Sequence, residues 1–185
     1  MPRRAVFLDR DDTLVECRSL PAPAPPGAPG DLVDPALVRL LPGVRDALGR
    51  LHGAGFALVV VSNQGCVARG AATVRRVEEV NARVAALLAP VPIAAFYVCP
   101  FHPKGSVPGY AHEHPWRKPA PGMILAAARD LSLDLPGSWL IGDAPRDVEA
   151  GLNAGLAPRR CLRVGPGSAW AGVGEAAAHI LAEHA

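Results

Sequence analysis

Five short apolar runs, separated by segments of helical periodicity, constrain this chain more than any other feature. Residues 5–8, 56–61 and 94–98 are almost continuously apolar rather than alternating, which is the pattern of strands covered on both faces. Two further runs follow at 138–141 and 161–164. Between them lie Val44, Leu48 and Leu51, then Val77, Val80, Val84, Leu87 and Leu88, then Ile124, Ala127, Ala128, Leu131 and Leu135, all at the spacing of amphipathic helices. The Ala-rich run 175–185 fits an ordinary packed helix. Strand and helix alternate, so the expected fold class is α/β, a Rossmann-like, doubly wound, mainly parallel sheet. In such sheets ligands sit beyond the carboxyl ends of the strands.

With 185 residues, half of them apolar and 19% charged, one sizeable core is expected, hence a single domain over 1–185. The net charge is +2 and the arginines are scattered or paired, as at Arg3–Arg4, Arg75–Arg76 and Arg159–Arg160, so no nucleic-acid footprint is present. The apolar stretch after Arg4 stops at Asp9, too short for a signal-peptide core, and no run approaches ~18 residues. A soluble cytoplasmic protein without a membrane partner is expected. Four isolated cysteines, Cys17, Cys66, Cys99 and Cys161, favour reduced thiols over a disulfide framework. Segment 19–30 contains LPAPAPPGAPG, which cannot continue a helix or donate to a ladder. It reads as an extended loop, either a passive connection or a flap over a site.

The first run ends in Asp9-Arg10-Asp11-Asp12-Thr13, three carboxylates at the carboxyl end of a buried strand. Like charges this close raise one another's pKa unless a cation offsets them, so the cluster implies a hard metal ion such as Mg²⁺. Three later segments extend the pattern. Ser62-Asn63 closes the second run with neutral groups able to hold a phosphoryl oxygen. Lys118 precedes a helical segment, whose N-terminus favours an anion. Gly142-Asp143-Ala144-Pro145-Arg146-Asp147 repeats the buried strand that breaks into carboxylates, with Gly142 permitting close backbone approach.

The order DxDxT, strand-Ser-Asn, Lys, GDxxxD resembles the four signature motifs of the haloacid dehalogenase superfamily over residues 5 to 164. The resemblance implies a phosphatase in which Asp9 is the nucleophile and Asp11 the acid/base, with Ser62 and Lys118 holding the transferred group. It also implies Mg²⁺ held by the Asp9 carboxylate, the Asp11 backbone carbonyl and Asp143, with Asp147 one layer further out. Asp12 stands where many members have glycine, an extra carboxylate that could tighten the metal or shift neighbouring pKa values.

A narrower likeness lies in FLDRD, VVVSNQ, VARG, CPFHPKGSV and RKPAPGM. These phrases resemble the subfamily of heptose 1,7-bisphosphate 7-phosphatase and the histidinol-phosphate phosphatase domain, compact enzymes with no large cap domain. By that resemblance Asn63, Gln64, Arg69 and Arg117 surround a small phosphorylated sugar or polyol, the arginines suited to a second phosphate, and the chain is expected to act as a monomer. Many members carry a zinc loop, Cys-x-His followed by Cys-x-Cys. Here segment 99–116 keeps Cys99 but has Phe101, His114 and Trp116 at the other positions. Cys99, His102, His112 and His114 could supply tetrahedral zinc with improvised spacing; otherwise aromatics and prolines must hold the loop. A receiver-type phospho-acceptor module is the rival from another class. It lacks an acid/base equivalent to Asp11.

Overall fold

The structure is a computed structural model that describes residues 2–184. Strands β1 (Ala5–Leu8), β2 (Ala57–Asn63), β3 (Ala95–Cys99), β4 (Trp139–Gly142) and β5 (Cys161–Arg163) form one sheet. Its order is β3-β2-β1-β4-β5 and every pairing is parallel. Helices α1 (Val44–Gly53), α2 (Cys66–Arg69), α3 (Val74–Leu88), α4 (Gly122–Asp130) and α5 (Pro145–Asn153) connect the strands, and α6 (Val173–Ala182) follows β5.

The continuous apolar runs exist because both faces of the sheet are covered. Val6, Leu8, Leu58, Val60 and Ile141 point to one side, against Leu48 and Leu51 of α1, Val80 and Val84 of α3, and Ile180 of α6. Ala5, Phe7, Val59, Val61 and Leu140 point to the other, against Met123, Ile124 and Ala127 of α4 and Ala150 of α5. A buried Leu or Phe contributes about 1.5–3 kcal/mol, so neither parity of β1 can be given to polar residues without losing a layer. Among the described residues no helix is long and apolar enough to cross a membrane.

Two helices carry no sequence signal in the periodicity above. The helices α2 and α5 span four and nine residues, too short for a repeated apolar stripe to stand out. Conversely, the helical spacing that runs on to Leu135 overshoots. The helix α4 ends at Asp130, Ser132 takes the left-handed region at φ 50, and the Leu133 N–H turns back to the Ala128 carbonyl at 2.8 Å. Leu133 and Leu135 still pack on the α4 side of the core, which is why their spacing mimics a continued helix.

Candidate active site

The chain leaves β1 for β2 and β3 on one side, then returns to β4 and β5 on the other. The carboxyl ends of β1 and β4 therefore flank the topological switch point, where a crevice opens in a doubly wound sheet. The Asp9 N–H donates to the Ile141 carbonyl at 2.9 Å, pinning the first residue beyond β1 beside the end of β4. Gly142 is required there. A Cβ on it would lie 2.4 Å from the Asp147 Cβ, and only its absence lets α5 bring Asp147 this close. Asp147 in turn accepts the Ala144 N–H at 2.9 Å, closing the first turn of α5.

Ligand oxygens of Asp9, Asp143 and Asp147 all lie within 4.8 Å of one another. Lys118 reaches into this group from the segment before α4. Its Nζ is 2.5 Å from Asp9 Oδ1, 2.7 Å from Asp147 Oδ1, and donates to the Val61 carbonyl at 2.8 Å. Burial pushes the Asp9 carboxyl up to about 7, against the pull of Lys118 and with the added push of Asp147 and Asp11. Burial alone would lower the Lys118 ammonium, but Asp9 and Asp147 outweigh it and hold its pKa above the usual lysine value. The Asp143 carboxyl is likewise raised by burial and by Asp147.

The donor set fits a hard divalent cation. Asp143 Oδ1 and Asp147 Oδ1 are both buried with no hydrogen-bond partner among the described residues, but Asp147 Oδ1 lies 2.7 Å from the Lys118 ammonium and its Oδ2 accepts the Ala144 N–H, which leaves Asp143 Oδ1 as the oxygen with no charge partner. Asp143 Oδ2 meets Arg18 at 3.2 Å, but that arginine is 60% exposed, so the contact is weak and easily exchanged. A cation between Asp9 and Asp143 would satisfy the orphaned oxygen and favour both carboxylates in their charged form.

Asp12 does something other than add charge to a metal. It sits at φ 57, where glycine would be at ease, and its Oδ1 accepts the N–H groups of Cys17 and Arg18 at 3.0 and 2.8 Å. Asp tolerates this region because its short side chain can bond locally. The carboxylate thus shapes the loop after β1, and of the expected effects on metal and pKa it contributes a push on Asp143.

Asp11 presents its carboxylate to a cleft, with its side chain 28% exposed, while Arg10 lies wholly buried behind it. The Arg10 guanidinium donates Nε to Oδ1 at 2.8 Å and Nη2 to Oδ2 at 3.2 Å. Gln64 Nε2 donates to Asp11 Oδ2 and to Ser62 Oγ, both at 2.8 Å, and the Cys17 thiol lies 3.3 Å from Asp11 Oδ1. Burial would raise the Asp11 carboxyl, yet Arg10 and Gln64 hold it below the usual carboxylate range. Asn63 is committed at both ends to the backbone of Lys118, donating to its carbonyl and accepting its N–H at 3.0 Å each. Asn63 therefore fixes the lysine's segment against β2.

The adjoining cleft encloses 190 Å³ and is lined by Asp11, Asp31, Gln64, Arg69, His102, Arg117 and Arg146 among others. Three of these converge over Gly65: a Cβ there would lie 3.1 Å from the His102 ring, 3.2 Å from Arg69 Nη1 and 3.6 Å from Arg117 Nη1. The candidates Asn63, Gln64, Arg69 and Arg117 thus all line this cleft. His102, proposed only as a zinc ligand, joins them, as do Asp31 and Arg146, which carried no sequence signal. Asp31 closes the Pro-rich segment, and its two oxygens accept from Arg69 Nη2 at 2.6 and 2.8 Å. Gly30, the last residue of segment 19–30, also lines the cleft, so the end of that segment borders it.

The four candidate zinc ligands are not gathered. Among the described residues, the group of metal-capable side chains that converges is Asp9, Asp143 and Asp147. His102 and His114 each use Nδ1 to accept a backbone N–H, from Lys104 and Trp116. Phe101 instead stacks on His114 with ring centroids 4.1 Å apart, and touches Tyr110 and His112 at 5.5 and 4.7 Å. Aromatic packing holds the loop 99–116. Phe101→Ala is expected to lower the unfolding free energy by about 2 kcal/mol, while a zinc chelator leaves the wild-type unfolding midpoint unchanged. A midpoint that falls with chelator would return the loop to zinc.

Comparison with known proteins agrees with this geometry. A family profile described as HAD-hydrolase-like matches residues 115–162. A D-glycero-beta-D-manno-heptose-1,7-bisphosphate 7-phosphatase of Mesorhizobium japonicum is 37% identical over 155 residues, 83% of this chain; the chain spans 66% of that relative's length. The protein of the same name from Yersinia pestis is 35% identical over 163 residues, covering 87% of this chain and 81% of the relative. Among solved structures, a HAD-like phosphatase of Mesorhizobium loti superposes with a TM-score of 0.81 at 31% identity, covering 99% of this chain and 86% of the other. The D,D-heptose 1,7-bisphosphate phosphatase of B. bronchiseptica, solved with magnesium and phosphate, gives 0.77 at 25% identity, covering 97% and 99%.

Proposed function

The chain belongs to the haloacid-dehalogenase-type phosphatases that include the heptose 1,7-bisphosphate 7-phosphatases, and we propose that it hydrolyses a sugar bisphosphate of that kind through an aspartyl phosphate, the whole of 1–185 acting as one catalytic unit. The observation that carries this reading is the meeting of Asp9, Asp143 and Lys118 Nζ at the switch point, with Asp11 facing the cleft beside them.

In the first half-reaction an Asp9 oxygen forms a bond to phosphorus as the ester P–O bond breaks, and the departing oxygen takes a proton from the Asp11 carboxyl. In the second, water attacks phosphorus, the Asp9–phosphorus bond breaks, and the water's proton passes to Asp11. Lys118 and the Ser62 hydroxyl face the non-bridging oxygens, Lys118 supplying charge and Ser62 a neutral donor. Arg10 favours the Asp11 carboxylate in the free protein; a bound phosphoryl dianion pushes the same carboxyl the other way, toward the protonated form that the first half needs. Asp9 and Asp143 would hold Mg²⁺, with the Asp11 carbonyl as a further donor, and the ion would offset charge on the phosphoryl oxygens when bound.

The cleft argues for the second phosphate. Arg69, Arg117 and Arg146 give three cations against the carboxylates Asp11 and Asp31, and arginine forks match phosphate. Histidinol phosphate presents an ammonium to that surface, so the same charges disfavour it. A panel of heptose 1,7-bisphosphate, histidinol phosphate and nucleotide monophosphates, incubated with protein and Mg²⁺, tests the reading by phosphate release. The heptose ester is expected to give a kcat/KM at least about tenfold above the others, since one fork–phosphate contact contributes more than about 1.4 kcal/mol. Preference for histidinol phosphate, or stoichiometric labelling without release, would overturn it.

A further inference from the structure

Arg10 is the largest fully buried side chain of the protein, and burial of an arginine demands that its donors be met. Two of its nitrogens form the fork on Asp11. The third, Nη1, donates at 2.8 Å to Oδ1 of Asn81 on α3. Asn81 is itself buried and occupies the apolar stripe of α3 between Val77, Val80 and Val84, where an amide has no packing advantage over valine or leucine. The chain has thus placed two polar groups in its interior that satisfy one another and end on a single carboxylate.

We propose that Arg10 and Asn81 form a buried arm whose task is to position Asp11, fixing the plane and direction in which its carboxyl faces the cleft. Arg10 does not itself line the cleft; it acts through Asp11 and is a positioning residue. The fork meets both oxygens from behind, and a fork on two oxygens sets orientation where a point charge would not. Gln64 approaches Asp11 from the cleft side, so it is the partner that can exchange for substrate while the arm stays in place. Asn81 anchors the arm to the rigid α3 rather than to the loop after β1. Loss of fixed geometry at a proton-transfer group costs rate even where the group itself is intact.

The inference rests on the acid/base role proposed for Asp11, and leaving-group dependence separates the two. Breaking a sugar ester needs a proton on the departing oxygen, whereas p-nitrophenolate leaves without one. Rapid-quench single turnovers would be run with Mg²⁺ on heptose 1,7-bisphosphate and on p-nitrophenyl phosphate, for wild type, Arg10→Lys, Asn81→Ala and Asp11→Asn. Arg10→Lys is expected to slow sugar-ester cleavage about 10²-fold while the p-nitrophenol burst stays within about threefold. Asn81→Ala, which keeps the Arg10–Asp11 pair and guards against a folding failure of the lysine variant, should show the same split at about tenfold. The double variant Arg10→Lys/Asp11→Asn should be no slower than Asp11→Asn alone. Equal slowing of both esters, or additive losses in the double variant, would overturn the arm while leaving Asp11 in its role. An Asp11→Asn protein with no split would overturn both.

Discussion

Asp9→Asn is expected to lower steady-state phosphate release by at least about 10⁴-fold without weakening the fold, because the amide removes the nucleophile and keeps its shape. The stability half of this expectation comes from the site's charge balance. Four carboxylates, Asp9, Asp11, Asp143 and Asp147, face two buried cations, Arg10 and Lys118. Burial already pushes the Asp9 carboxyl up to about 7 even with Lys118 beside it, so its charged form carries a desolvation cost here near neutral pH. An isosteric amide relieves that cost, and Lys118 keeps Asp147 and the Val61 carbonyl. Phosphate release and urea unfolding, both without and with Mg²⁺, check the two halves. Wild-type stability should rise with Mg²⁺ more than the variant's, since the variant lacks one ligand. Residual turnover above about one per cent would remove Asp9 from the nucleophile's role.

The positions of the strands could be read because burial on both faces writes a continuous apolar run, and all five expected runs match to within two residues at each end. The second extends two residues beyond its apolar portion, through Ser62 and Asn63, because β3 pairs with both. Site residues at strand ends were legible for a related reason: a carboxylate where a buried strand stops has no structural motive, so Asp9, Asp11 and Asp143 stood out against their surroundings. Arg10 did not, since a single arginine between two acidic residues looks like a solvated charge. Only its contact with Asn81, 71 residues away in sequence, makes it an interior group. The amide in the Val77–Val84 stripe was the one signal available, and it points inward only if the stripe's phase is taken literally. Likewise Asp31 and Arg146 reach the cleft from a proline-rich loop and an exposed helix start, where no periodicity reports direction. Asp12 is a turn residue as well as a charge that raises the Asp143 carboxyl, and the turn role was hidden because backbone φ cannot be read from residue type alone when both Gly and Asp can adopt it.

Lys118→Met is expected to cost both stability and chemistry, and the two losses should respond differently to metal. Lys118 is 3% exposed and stands between Asp9 and Asp147, which are 4% and 0% exposed. Methionine fills a similar volume but leaves two buried carboxylates facing each other without a cation, the situation that makes breaking a buried pair cost about 3–5 kcal/mol. Unfolding in urea without metal should show a loss of that size. A divalent cation on Asp9 and Asp143 supplies charge to the same group, so saturating Mg²⁺ should recover part of the lost stability and raise the variant's midpoint more than the wild type's. It should not recover turnover. In the proposed reaction the ammonium meets the phosphoryl oxygens directly, and loss of that preorganised donor is expected to hold kcat about 10²–10³-fold down at any Mg²⁺ concentration. If Mg²⁺ instead restored kcat along with stability, Lys118 would be a counter-ion for the carboxylates and nothing more. Unchanged stability without metal would mean that Asp9 and Asp147 do not depend on it at all, and the charge balance that motivates both expectations would be wrong.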